Sequence, residues 1–284
     1  MLNKQISNSV ELSAVAILLA AGLGTRLKPL SDQWPKCLMP VHGRPLLDYW
    51  LASIQQIGTI NTIVNLHYLK REVGEYLRRP CYAARVQTFE EHDLLGTAGS
   101  LRAIANQGCA SGKTLLVIHA DNWSDCDLEA FVDYHRSATG RGILMTMMTF
   151  DTDAPKQCGI VETDSNNTLV GFHEKQAEPP GNRANAAVYA IEPVLIDWLN
   201  QNPTVNDIST QLIPAFIGRI ACWHHAGIHR DIGTIPSLLA AQSDPPHPFT
   251  PQLSDDWQHR FHQHEIHREL ERLARHSVRI GQPT

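Results

Sequence analysis

Short apolar runs alternate with amphipathic stretches along the first half of the chain. Val15–Leu19 has the length and composition of a strand buried on both faces. Arg44-Pro45-Leu46 opens an amphipathic helix to about Ile57, and Gly58 stops it. Ile60–Leu66 reads as a second buried strand, 70–79 as a helix and 84–89 as a third strand. A helix is expected from about Ala98 to Asn106, a strand over 114–118 and a helix over 125–137. A further strand, Gly142–Phe150, carries methionines that read as core filler. This alternation predicts an α/β fold, a mostly parallel sheet with helices on both faces. The pattern then changes. Gly159-Ile160-Val161 and Thr168–His173 alternate about Asp164-Ser165-Asn166-Asn167, which reads as a hairpin and predicts a small β-rich lobe. Asp207 caps an expected helix to Ile217, a strand covers 219–225, and Thr234 caps a helix from Ile235 to Gln242.

Three regions follow from this. Residues 1–12 are polar and expected to be poorly ordered. Residues 13–242 form the body. Residues 243–284 hold a proline-rich linker, Ser243–Pro251, and a helical tail over 255–274. Trp257, Phe261, Ile266, Leu270 and Leu273 give that tail an apolar side, expected to pack on the body or on a second copy of the chain. Its histidines 259, 262, 264 and 267 lack the regular spacing of a zinc helix.

Candidate chemistry concentrates between Leu18 and Pro40. The first strand runs into Ala20-Ala21-Gly22-Leu23-Gly24-Thr25-Arg26. Small residues let the backbone approach a ligand, and successive N–H groups in such a turn form an anion site. Arg26 adds a guanidinium suited to phosphate, and Lys36 adds a point charge behind Pro35. The dinucleotide fingerprint wants a glycine where Leu27 stands, and Pro29 and Pro35 break the helix it needs. The P-loop's Gly-Lys-Ser/Thr ending is absent. What remains is a loop for polyphosphate at the carboxyl end of a strand, where open sheets bind ligands.

This stretch resembles a known family. Gly22, Gly24, Thr25, Arg26, Leu27, Pro29 and Leu30, then Pro35, Lys36, Leu38, Pro40 and Val41, match the signature of sugar-phosphate nucleotidyltransferases, also called nucleotide-sugar pyrophosphorylases. The resemblance covers about 13–242 and implies a Rossmann-like, GT-A type fold. It implies nucleotide contacts from Ala20, Ala21, Gly22, Leu23, Gly24, Thr25, Arg26 and Lys36. Others come from Glu90 and, in Leu95-Gly96-Thr97-Ala98-Gly99-Ser100, from Gly96, Thr97 and Ala98. That last stretch looks most like the guanylyl-transferring branch that makes GDP-mannose and GDP-manno-heptose. An N-acetylmuramic acid 1-phosphate uridylyltransferase carries a similar Thr-Ala-Gly, so UTP stays open. The family's two Mg²⁺ aspartates correspond to Asp121 and Asp231, with Ala120 where a glycine is usual. Its sugar-phosphate contacts correspond to Gly159, Glu174, Lys175 and Asn185, together with Asp231. Alanine stands at 184, where the family usually has glycine before that asparagine. The implied catalytic set is Arg26, Lys36, Asp121 and Asp231. The implied partners are an NTP, GTP or UTP, and a sugar 1-phosphate. Some family members bind nucleotide sugars without turnover, so a regulatory binding protein is the rival from another class.

Bulk composition narrows this little further. Of 284 residues, 43% are hydrophobic, which suits a large globular core. A net charge of −5 without basic runs argues against nucleic acid as a partner. No apolar run has the length of a membrane span, and Ala14–Leu23 reads as the first core strand rather than a signal peptide. The six cysteines form no C-x-x-C pair, which points to reduced thiols and a cytoplasmic setting.

Overall fold

The computed structural model describes residues 14–58, 60–108, 110–246 and 254–280. The expected N-terminal segment 1–12 and most of the proline-rich linker lie outside the described residues.

One nine-stranded sheet organises the body. Its strands are β1 (Ala14–Leu19), β2 (Asn61–Leu66), β3 (Val86–Glu90), β4 (Thr114–His119), β5 (Met145–Asp151), β6 (Gly159–Thr163), β7 (Leu169–Glu174), β8 (Arg183–Ile191) and β9 (Ile220–His224). β1 lies between β4 and β2, parallel to both, and β3 continues parallel at that edge. Two apolar clusters cover its two faces: Ala16 and Leu18 belong to one, Val15 and Ile17 to the other. Burial on both faces is why β1 reads as an unbroken apolar run.

The sheet changes direction at β8, which is antiparallel to β4, β5 and β6. The expected hairpin is present as β6 and β7. β8 itself is hidden in the sequence, because its register shifts between Asn185 and Tyr189 and Ala187 takes a φ of 55°. That bulge breaks the alternation that marks a strand. Ala184, by contrast, sits in regular register opposite Phe150, so the family's usual glycine is not needed there. The expected helix from Asp207 is one π-turn, Ile208–Leu212, and a short turn, Ile213–Ala215. Asp207 caps it as expected, and Pro214 lacks the N–H that a longer helix needs.

The tail is two helices, Asp256–Gln263 and Glu265–Ile280, broken at His264. Phe261, Ile266 and Leu270 are buried in the same cluster as Leu27, Leu30, Trp34 and Leu38. These apolar side chains are therefore covered by the chain's own body rather than left for a second copy. Asp255 fixes the tail by accepting from buried Arg79 Nε at 2.7 Å and from Gln258 N at 2.8 Å. Burial pushes the Asp255 carboxyl up, but the Arg79 and backbone hydrogen bonds outweigh it and hold it below its ordinary 3.8. A depressed carboxyl stabilises the fold above that ordinary value and loses its contribution as pH falls through the depressed one. Acid is therefore expected to loosen the tail in a step that Asp255→Asn removes. Amide exchange across 256–276 against pH checks this; identical profiles in both proteins would contradict it.

Among the described residues no helix is long and apolar enough to cross a membrane. The five described cysteines are free, and burial pushes the Cys37, Cys126 and Cys222 thiols up to about 12.

Candidate active site

Beyond β1 the chain makes three short turns, Thr25–Leu27, Leu30–Asp32 and Lys36–Leu38, instead of a helix. Pro29 and Pro35 each precede one of these turns. Ala20 N donates to Asn65 Oδ1 at 2.6 Å, and Ser31 Oγ donates to Gly24 O at 2.7 Å. These bonds pin the loop at its base and its tip.

Lys36 comes to rest with its side chain 8% exposed and its ammonium between two carboxylates. Nζ lies 2.6 Å from Asp121 Oδ2 and 3.0 Å from Asp231 Oδ1. Arg26 Nη2 sits 3.2 Å from Asp231 Oδ2. Asp121 lies two residues past the end of β4, after Ala120. Asp231 ends a three-residue strand, His229–Asp231, which pairs antiparallel with Asn122–Ser124. This ribbon, with Ile232 N donating to Asp121 O at 3.3 Å, brings together two aspartates far apart in sequence. A Cβ on Gly233 would fall 2.6 Å from Arg26 Nη2, so a glycine here leaves Arg26 room to reach Asp231.

Burial pulls the Lys36 ammonium down, yet the two carboxylates outweigh it and hold it above the ordinary lysine value. Burial likewise pushes Asp121 up, while Lys36 and then His119 more than compensate, leaving the carboxyl lowered. Lys36 and Asp121 thus face each other as cation and carboxylate, with Asp231 beside them, at the end of the parallel strands.

A cleft of about 280 Å³ opens beside this cluster. Ala20, Ala21, Gly22 and Lys36 line one wall, and Gly96, Thr97 and Ser100 line the other. Leu23, Gly24, Thr25 and Arg26 form the rim of the loop outside this lining. Gly96 has φ 74° and ψ 166°, and a Cβ there would meet Asn206 O at 2.4 Å. Ala98 is fully buried behind the wall, its N–H donating to Asn206 O at 3.0 Å. Thr97 Oγ1 donates to Asp207 Oδ2 at 3.2 Å and accepts from Ile208 N at 2.8 Å. The wall is therefore braced from behind by 206–208. Gly96→Ala is expected to lose roughly 1–3 kcal/mol from backbone strain alone. A thermal melt reads this effect, and an unchanged midpoint would contradict it.

Two expected contact residues are engaged by the chain itself. Glu90 points away from the cleft and pairs with Lys70 Nζ at 2.8 Å. Glu91, next along the chain and so on the opposite face, lines the cleft, as Asp121 does. Glu91 Oε1 accepts from Asn65 Nδ2 at 2.8 Å and Ser100 Oγ at 2.6 Å, and Oε2 accepts from Leu95 N at 3.2 Å. It ties the floor of the cleft to the Leu95–Gly96 wall. Asn185 is engaged within β8: Nδ2 donates to Tyr189 Oη at 2.7 Å and Oδ1 accepts from Ala187 N at 2.9 Å.

Gly159, Glu174 and Lys175, the other expected sugar-phosphate contacts, meet where β6 and β7 pair. Glu174 ends β7 opposite Gly159, and its carboxylate lies 3.1 Å from Lys175 Nζ. Lys175 has φ 48° and a side chain 66% exposed. Burial pushes the Cys158 thiol up.

His119 and Asn65 are not among the expected contacts; Glu91 stands beside the expected Glu90, and Ser100 ends the Leu95–Ser100 stretch. His119 ends β4 and lines the cleft, and its Nε2 has no hydrogen-bond partner among the described residues. Burial lowers its pKa despite the nearby Asp121 and Asp207, favouring the neutral ring. The available signal was a polar residue inside or ending an apolar strand, as with Asn65 in β2 and His119 in β4.

A phosphate-type loop at the carboxyl edge of a parallel sheet, with a lysine held between two carboxylates beside a cleft, marks an α/β protein whose candidate site lies where open sheets bind ligands. Residues 15–246 match the nucleotidyl transferase family, and the chain belongs to it. It is similar to a mannose-1-phosphate guanylyltransferase of Mycobacterium tuberculosis, 29% identical over 81% of this chain and 64% of that one. A UTP–glucose-1-phosphate uridylyltransferase of Synechocystis is 29% identical over 71% of this chain and 55% of that one. The chain therefore spans 64% and 55% of the lengths of these two relatives. A crystal structure from Bacillus anthracis, described as a glucose-1-phosphate thymidylyltransferase in complex with sucrose, shares the fold. It superposes with a TM-score of 0.71 at 18% identity, covering 87% of this chain and 99% of that one.

Proposed function

We propose that the protein transfers a nucleotidyl group from an NTP to a sugar 1-phosphate, giving an NDP-sugar and pyrophosphate. The observation that carries this reading is Lys36 Nζ within 3.0 Å of both Asp121 and Asp231 at the mouth of the cleft. In the reaction, a phosphate oxygen of the sugar 1-phosphate attacks the α-phosphorus. The bond from that phosphorus to the α,β-bridging oxygen breaks, and pyrophosphate leaves. The attacking group is already an anion, so no covalent nucleophile is needed. The protein's work is positioning and charge neutralisation. Lys36 stabilises charge growing on the α-phosphoryl oxygens. Arg26 and the N–H groups of 20–24 hold the β- and γ-phosphates. Lys175 orients the sugar phosphate and Glu174 the sugar hydroxyls.

The donors present fit Mg²⁺. Asp121 and Asp231 offer hard oxygen ligands, and no group of three or more metal-ligating side chains occurs among the described residues. Two carboxylates completed by substrate phosphates are the usual protein share of a Mg²⁺ site. Mg²⁺ bound there would neutralise phosphate charge beside Lys36.

Guanine is the proposed base and a manno-configured sugar the proposed acceptor. Both are supported by the Leu95–Ser100 sequence and the guanylyltransferase relative. The uridylyltransferase relative keeps UTP as a second reading. The free, buried cysteines support a cytoplasmic setting. The test is pyrophosphate release with Mg²⁺ across GTP, UTP, dTTP, CTP and ATP. Each is paired with mannose, manno-heptose and N-acetylmuramic acid 1-phosphates. Release with GTP and a manno sugar is expected. Release with UTP alone overturns the base assignment. No release with any pair, alongside tight binding of nucleotide sugars, favours the regulatory protein.

A further inference from the structure

The tail lies outside the 15–246 stretch that matches the family, yet it packs against the loop that carries Lys36. The meeting point is Trp34, two residues before Lys36 and 8% exposed. Its ring stacks on Phe261 with centroids 5.8 Å apart and planes 25° apart. His264 lies 4.3 Å from it and Trp257 6.4 Å, so the first tail helix and the break after it surround one side of the indole. The other end of Trp34 reaches the turn that holds the lysine. Nε1 donates to Leu38 O at 2.7 Å, across the Lys36–Leu38 turn that Leu38 N and Met39 N close on Pro35 O and Lys36 O. One rigid ring thus touches the tail on its face and the lysine turn at its edge.

The tail is held firmly enough to transmit position. Arg79, 4% exposed, donates to Asp255 at the start of the first tail helix and to Gln258 Oε1 at 3.4 Å. Its guanidinium lies 4.9 Å from the Trp257 ring centroid and 5.3 Å from that of Tyr76. Trp257 meets Tyr76 edge-on at 4.9 Å. The tail is therefore anchored to the helix Lys70–Leu77 and its end, on an element that contributes nothing to the cleft lining. It bridges that fixed part of the body and the lysine turn.

We infer that the C-terminal helix pair is a brace that sets Lys36 through Trp34, with Trp257 and Phe261 as positioning residues. The consequence for turnover rests on the proposed nucleotidyl transfer; the consequence for the turn does not. A lysine placed about 1 Å from its working position loses on the order of 10²-fold in rate. Loosening the tail therefore costs kcat more than it costs nucleotide binding, which the 20–24 backbone and the Gly96 wall still provide.

The test uses the full chain with Trp257→Ala and Trp257→Phe. Two readouts are taken under conditions where a melt shows the protein folded. Amide exchange is followed at Leu38 and Met39, with β1 and β4 as internal reference. Pyrophosphate release gives kcat and KM separately. Trp257→Ala is expected to speed exchange at Leu38 and Met39 while β1 and β4 stay protected. Its kcat is expected to fall about tenfold or more with little change in nucleotide KM. Trp257→Phe, which keeps a flat ring, is expected to restore both. A lowered melting midpoint with unchanged exchange at the turn and unchanged kcat overturns the brace. If the wild-type chain shows no turnover, the proposed reaction fails, and the exchange result alone decides the brace. Should Trp257→Ala not fold, Asp255→Asn takes its place. It releases the Arg79 anchor without opening a core cavity, and normal protection at Leu38 and Met39 in that variant equally overturns the inference.

Discussion

Lys36→Ala is expected to lower turnover by about 10²–10³-fold, the scale seen when one preorganised donor to a developing oxyanion is removed. The ammonium is the cation held deepest at this site, with a side chain 8% exposed and two carboxylates within 3.0 Å. Water entering its place has to reorganise during the reaction, whereas the lysine does not. Stability is expected to change far less. Removing one partner of a fully buried pair leaves an uncompensated charge and is costly. Here the Asp121 and Asp231 side chains are 39% and 51% exposed, so water solvates both once Lys36 is gone. The mutation also removes the desolvation of the lysine itself. Steady-state pyrophosphate release gives the first quantity and a thermal melt the second. Near wild-type turnover would remove Lys36 from the mechanism, and a collapsed melt would show the cluster to be structural.

Asp121→Asn is expected to cause a loss of the same order by a different route. Asparagine keeps the shape and an oxygen but gives up the charge. Lys36 then faces Asp231 alone, and the pair of hard anionic ligands becomes one. The two variants therefore separate in a Mg²⁺ titration. Half-activation is expected to move to higher Mg²⁺ in Asp121→Asn and to stay near wild type in Lys36→Ala. An Asp121→Asn protein with normal turnover and normal Mg²⁺ dependence would exclude Asp121 as a ligand.

The loop was legible in the sequence because its chemistry is local. The apolar run of β1, the glycines, Pro29 and Pro35, and the cations Arg26 and Lys36 all act within a few residues of one another. Asp121 and Asp231 were each recognisable, and the family resemblance set both on one metal ion, but no local pattern shows their meeting. It depends on a ribbon of two three-residue strands, Asn122–Ser124 and His229–Asp231, too short to leave a periodic pattern. Glu90 against Glu91 turned on strand parity: adjacent residues face opposite sides, and a one-residue error exchanges Lys70 for Asn65 and Ser100 as the partners. β8 was hidden by its bulge at 185–189. The tail's apolar side was visible in Trp257, Phe261, Ile266 and Leu270. What it covers depends on Trp34 and Arg79, more than 170 residues away in sequence.

The most direct test of nucleotidyl transfer at this site is an isotope experiment on the wild-type protein. Mannose 1-phosphate carrying ¹⁸O in all its phosphate oxygens is incubated with GTP and Mg²⁺, and both products are weighed by mass spectrometry. Direct attack on the α-phosphorus predicts that all the label appears in the nucleotide sugar and none in the pyrophosphate. Label in the pyrophosphate, or unlabelled phosphate released with no nucleotide sugar formed, would contradict the account.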